Sequence, residues 1–242
     1  MAINFVQDSF HTEPTGPGYA SLCQKMQIGS GALTGPVGHL RHVRLSMLQY
    51  VRDAVANQGL RALENPRSSA IVHEAGHAVV YTSFGFKVRS CKIERESDSY
   101  DQWGGFTDGG SAWRSDHQSA PVADLKQACC LMAGVAAERL FDPLNYRQAS
   151  SADEVVRAHC LASTVAHKLG CDHDAVVARV DQRTDEMLLR NKDIVLKIAQ
   201  QLDQKMIVRG NRLAKLLVGV ARTDADSLCA GLEFPAETPT LA

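Results

Sequence analysis

No stretch of the chain approaches 18 consecutive apolar residues, so the sequence holds no candidate for a membrane-spanning helix. Its first residues, MAINFVQDSFHTEPTG, have neither a basic start nor an apolar centre, which argues against a secretory signal peptide. The cysteines lack order. There are seven, an odd number; Cys129 and Cys130 are adjacent, and no CxxC pair occurs. That pattern fits neither a secreted disulfide framework nor a cysteine-based zinc site. Charge of one sign is lacking too: 26 Lys and Arg stand against 27 Asp and Glu, a net charge of −1. No global field draws the chain to nucleic acid or an anionic membrane. Gly29, Gly31 and Gly35 suggest a phosphate loop, but Pro36 follows Gly35 and the required lysine and Ser/Thr are missing. These absences predict a cytoplasmic protein with neither nucleic acid nor membrane as a partner.

What the chain does have is enough apolar material for a core, at 45% hydrophobic and 22% charged residues. Three regions are expected. Residues 1–65 form an N-terminal arm: a Gly-, Pro-, Ser- and Thr-rich stretch to 36, then an amphipathic helix over 38–63 carrying Leu40, Val43, Met47, Val51 and Val55 at steps of three or four. Residues 66–219 form the main domain, and residues 220–242 a small, polar, flexible tail. Within the main domain, Asn65 is the expected N-cap and Pro66 the first position of a helix running to Phe84. A strand over 87–95 and an irregular one over 101–110 follow. Further helices are expected over 121–141, 151–169, 174–190 and 192–208, with a short one through LAKLLVGV. The fold class is mainly α, with a small irregular β-sheet.

The informative stretch is SSAIVHEAGHAVVYTSF, residues 68–84. It is apolar enough for a buried helix, yet His73, Glu74 and His77 interrupt it. In a helix, positions i and i+4 share one face, so both imidazoles reach one metal ion while Glu74 addresses a water beside it. A lone histidine on an apolar face is usually a hydrogen-bonded core residue. The full HExxH pattern arises by chance in roughly one such chain in a hundred or fewer. Without partners, each of these buried groups would cost about 1–3 kcal/mol. Zinc is the expected metal, one ion per chain, since it accepts neutral imidazole and four ligands.

A catalytic site needs a third protein ligand. Asp153, Glu138, Glu154, His117, His159, His167 and His173 compete. Ser151 and Glu154 have capping-box spacing, which would occupy Glu154 and leave Asp153 free in the first turn of its helix. The bland alternative for Asp153 is that it only complements the helix dipole. Glu138 lies among apolar neighbours, where a carboxylate needs a partner: the outer nitrogen of a metal-bound histidine, or an arginine.

Taken together, HEAGHAVV, GGFT, LMAGVAAERLF, SSADEVVRA and EMLLRNKDIVLKIAQQLDQKMIVRGNRLAKLL resemble, in that order, the peptidase domain of the FtsH-type zinc metalloproteases. The similarity spans about residues 66–218. It implies a helical zinc-peptidase domain with its sheet beside the active-site helix. It also implies His73, His77 and Asp153 as metal ligands, Glu74 as catalytic base and Glu138 as an outer partner of the metal site. Two departures stand out. Ala152 precedes Asp153 where the family usually has asparagine. The family's membrane helices and ATPase module have no counterpart in the 65 residues before the match, so the chain is not expected to unfold substrates with ATP.

The implied function is a zinc-dependent endopeptidase acting on unfolded protein or short peptides, with Glu74 as general base. Gly104, Gly105, Phe106 and Thr107 would pair with an extended substrate by strand addition, although an ordinary turn explains Gly104 and Gly105 as well. A separate unfoldase or adaptor is a candidate partner. The family relatives assemble as hexamers largely through modules outside the matched region, so the resemblance leaves a homo-oligomer open without establishing it. The alternative is a non-catalytic metal-binding adaptor or regulator that retains the fold.

Overall fold

The computed structural model describes residues 37–97, 102–109, 120–230 and 232. Expectations for residues 1–36, for the ends of the 101–110 stretch, for His117 and for residues 231 and 233–242 of the tail lie outside these; in the described part of the tail a 3-10 turn spans Asp226–Cys229, Leu228 is buried and Thr223 N donates to Ser83 O at 2.9 Å.

The described residues form seven α-helices and a small antiparallel sheet. Helix α1 (Val37–Gln58) is followed by a 3-10 turn (Gly59–Leu63), and α2 (Arg67–Ser83) by strands β1 (Ser90–Ser97) and β2 (Gln102–Asp108). Helices α3 (Ala120–Phe141), α4 (Ala152–Leu169), α5 (His173–Arg190) and α6 (Lys192–Lys205) come next, then β3 (Ile207–Arg209) and α7 (Gly210–Leu217). The sheet order is β2-β1-β3.

Helix α2 is the centre of the molecule. Ile71, Val72, Ala75, Ala78, Val79 and Val80 are all buried, because α3, α6 and the β1–β2 pair enclose it. A helix apolar on nearly every side is stable only in such surroundings. The hydroxyls of its last turn are satisfied within the helix: Thr82 Oγ1 donates to Ala78 O at 2.8 Å and Ser83 Oγ to Val79 O at 3.0 Å. Helix α3 crosses α2 through small residues. A Cβ on Gly76 would stand 2.5 Å from Ala137 Cβ and 2.7 Å from Ala133 O, so the two backbones lie closer than any larger residue allows.

Several sequence expectations shift here. Asn65 does not cap α2. Pro66 occupies the N-cap position, while Asn65 turns to β2: its side chain donates to Trp103 O and its carbonyl accepts from Trp103 N at 2.9 Å. The helix expected to reach 208 ends at Lys205, where Met206 adopts φ 60° and the chain turns into β3. Helix α1 packs onto the main body: Val51, Ala54 and Ala62 share a buried cluster with Ala149 and Ala152, and Met47 meets Val156. Among the described residues, no helix is long and apolar enough to cross a membrane.

Candidate metal centre

Three elements converge on one point. Helix α2 supplies His73, Glu74 and His77, α3 supplies Glu138, and the first turn of α4 supplies Glu154. His73 and His77 lie one helical turn apart, and their Nε2 atoms are 2.9 Å from each other. The Glu154 carboxylate closes the group, with Oε2 3.2 Å from His73 Nε2 and Oε1 3.3 Å from His77 Nε2.

The nitrogens on the far side of each ring define what the near ones can do. His77 Nδ1 lies 2.9 Å from Cys130 O, an atom that only accepts, so Nδ1 carries the proton. His73 Nδ1 is 2.7 Å from Glu138 Oε1 and donates to that carboxylate. In the neutral rings both Nε2 atoms are therefore lone-pair donors aimed at a common point. Two such atoms 2.9 Å apart, facing a carboxylate, repel one another unless a cation joins them. A proton on His73 is one solution. Burial opposes that charge, but Glu154 and Glu138 outweigh burial and hold the His73 pKa well above its ordinary value. A divalent metal is the other solution. The donor set of two imidazoles and one carboxylate, with all ligand atoms within 4.8 Å of one another, suits one ion. Glu154 Oε2 accepts no well-formed hydrogen bond from any described residue, despite its nearness to His73, and so retains the capacity to ligate. Burial works against the charged form of Glu154. The two histidines overcome it, and its pKa falls below the carboxylate range.

The carboxylate that faces the two histidines is Glu154. Among the described residues the group close enough to hold one ion contains Glu154 and not Asp153, whose Oδ2 is 3.9 Å from Arg157 Nη1, one turn along α4. Glu154 does not form a capping box, because Ser151 makes no side-chain cap bond. With ψ 32°, Ser151 is not in the extended conformation that a capping side chain requires. Its Oγ instead lies 3.4 Å from His73 Nδ1. The other competing histidines among the described residues lie elsewhere: the rings of His159 and His173 sit 5.9 Å apart beside one another, and His167 is in the last turn of α4. Glu138 is 1% exposed and belongs to His73, while the neighbouring Arg139 pairs with Asp185 at 2.8 Å.

Sequence reasoning missed Gly134 as a determinant. A Cβ there would stand 2.2–2.4 Å from the His73 ring, so only glycine leaves room for it. Glu74 is buried and pinned by Thr107, whose Oγ1 is 2.7 Å from Glu74 Oε2. Burial raises the Glu74 pKa, against the pull of His73, His77 and the Thr107 hydrogen bond. Gly105 lets β2 lie on Glu74, since a Cβ would come within 2.4 Å of Glu74 Cγ. Phe106, the residue between, is 57% exposed on the outer face of the sheet.

Strand β2 is an edge strand among the described residues. Trp103 N donates to Asn65 O on the side away from β1. Backbone groups alternate along a strand, so those of Gly105 and Thr107 face the same side, where no described strand pairs with them and Thr107 O accepts from Gly109 N at 3.1 Å. Compared with models of known protein families, the chain matches none, and a comparison with curated proteins finds no match.

Proposed function

We propose that the chain is a zinc-dependent endopeptidase of FtsH type acting on unfolded or short peptides, with His73, His77 and Glu154 as metal ligands. The observation that carries this reading is the convergence of two lone-pair imidazole nitrogens and one carboxylate beside a buried glutamate. The ordered resemblance over residues 66–218 supports it. Zinc held there would supply a water of lowered pKa and a positive charge for the carbonyl oxygen of the scissile bond.

The chain's own residues supply the rest. Glu74 sits next to the ligands and, with its raised pKa, is suited to take a proton from the attacking water and return it to the leaving amine. Thr107 fixes one of its oxygens through a 2.7 Å hydrogen bond, and the other lies beside Gly105 of β2. An extended peptide added to the open edge of β2 would bond to the backbone of Gly105 and Thr107 and lie alongside Glu74. Only a segment without stable structure can offer its backbone in that way.

The test compares the wild type with Glu74→Gln on unfolded casein, with zinc content measured on both preparations. The expected outcome is cleavage by the wild type and a loss of at least about a hundredfold in the variant, the size of a missing general base. Full zinc loading with no cleavage by the wild type would leave the non-catalytic adaptor in its place.

A further inference from the structure

The N-terminal helix, outside the region of family resemblance, is tied to the turn that presents the acidic metal donor. Residues 142–151 connect α3 to α4 and lead straight into the first turn that carries Glu154. Ser69 Oγ of α2 donates to Asn145 O at 2.9 Å, which fixes the start of this connection. Its second half is held from the other side. Gln58, the last residue of α1, accepts from Gln148 N at 3.0 Å through Oε1. In the 3-10 turn after it, Ala62 O accepts from Ala149 N at 3.2 Å. Beneath these bonds Ala54 and Ala62 are fully buried against Ala149 and Ala152.

The geometry matters because Ser151 and Glu154 follow directly. Ser151 Oγ is 3.4 Å from His73 Nδ1, and both Glu154 oxygens lie within 3.3 Å of an imidazole Nε2. Helix α4 itself begins without a side-chain cap, so no capping side chain fixes where it starts. Backbone ties to the preceding connection do that instead.

We propose that Gln58 is a positioning residue for the metal centre. Through Gln148 N it sets the 145–151 turn, and through that turn the placement of Glu154 against His73 and His77. The inference rests on the metal-centre reading above. It predicts that the arm's last turn tunes metal affinity although no atom of it touches the metal site. Residues that orient metal ligands from outside typically change affinity by about 10–100-fold, and Gln58, one step further out, belongs at the lower end.

The experiment measures zinc affinity of the full chain by competition with a chelating indicator, for the wild type, Gln58→Met and Gln58→Glu. Methionine keeps the length and removes the acceptor; glutamate restores an acceptor oxygen. The expected result is about tenfold weaker zinc binding in Gln58→Met, near-wild-type binding in Gln58→Glu and a metal-free melting temperature close to wild type in both. The visible spectrum of the cobalt-loaded protein should change in Gln58→Met and return in Gln58→Glu, which a purely structural role would not produce. Should Gln58→Met melt early, Gln58→Ala carries the same comparison. Wild-type affinity in the variants lacking the acceptor, or Gln58→Glu binding as weakly as Gln58→Met, overturns the proposal. A wild type that binds no zinc overturns the metal centre itself, and this inference with it.

Discussion

At His73 and His77 the outer ring nitrogens decide what the inner ones can ligate. Cys130 O and Glu138 accept hydrogen bonds from the two Nδ1–H groups, which leaves both Nε2 lone pairs directed at Glu154. Placing the His73 ring depends on an atom that is missing: Gly134 has no Cβ where one would collide with Cε1 and Nε2. Gly134→Ala should therefore move the ring and weaken zinc binding by at least about tenfold, measured by indicator competition, while far-ultraviolet circular dichroism stays unchanged. Unaltered affinity would mean that the ring has another place to go. The HExxH pair was legible in the sequence because its geometry is local to one helix. Glu138 was legible as a carboxylate among alanines. The choice between Asp153 and Glu154 was not, because neighbouring residues of a helix point about 100° apart, and which one faces the histidines depends on how α4 packs against α3. The capping-box spacing of Ser151 and Glu154 pointed the wrong way because spacing says nothing about the ψ of Ser151.

At the scale of elements, the site depends on how closely α2 and α3 approach. Gly76 stands against Ala133 and Ala137, one turn along α2 from His73. Gly76→Ala adds a methyl where the nearest neighbour includes a backbone carbonyl, and overpacking of this kind costs about 1–3 kcal/mol. A lower urea midpoint with an unchanged slope is the expected readout. The helices themselves were readable from periodicity to within a few residues, since their apolar stripes are long. Strand β3 was not. It is three residues long, and the apolar stripe of α6 runs on through Met206, so no change of period marks the turn. The open side of β2 was also beyond the sequence: GGFT is equally compatible with a turn, and only the pairing with β1 shows which backbone groups are left facing outward.

For the whole molecule, the buried charges make stability depend on pH in a direction that metal reverses. Without metal, the folded-state pKa of His73 lies above its ordinary value of 6.5 because Glu154 and Glu138 override burial. Its stabilising contribution is complete below about pH 6.5 and is lost as pH rises through the higher folded value. Glu154, held low by the same histidines, contributes above about pH 4.5 and loses that contribution only in stronger acid. The metal-free wild type should thus lose its advantage over His73→Gln as pH rises above about 6.5, followed by thermal melting. Zinc should do the opposite and stabilise more at higher pH, because it must displace the His73 proton. A pH-independent difference between the two metal-free proteins would contradict the electrostatics. The central claim is that Glu154, rather than its neighbour, completes a metal centre with His73 and His77. Zinc stoichiometry of purified wild type, Glu154→Ala and Asp153→Ala tests it most directly. One zinc per chain is expected in the wild type and in Asp153→Ala, with most of it lost in Glu154→Ala; zinc retained in Glu154→Ala and lost in Asp153→Ala would rule Glu154 out as the ligand.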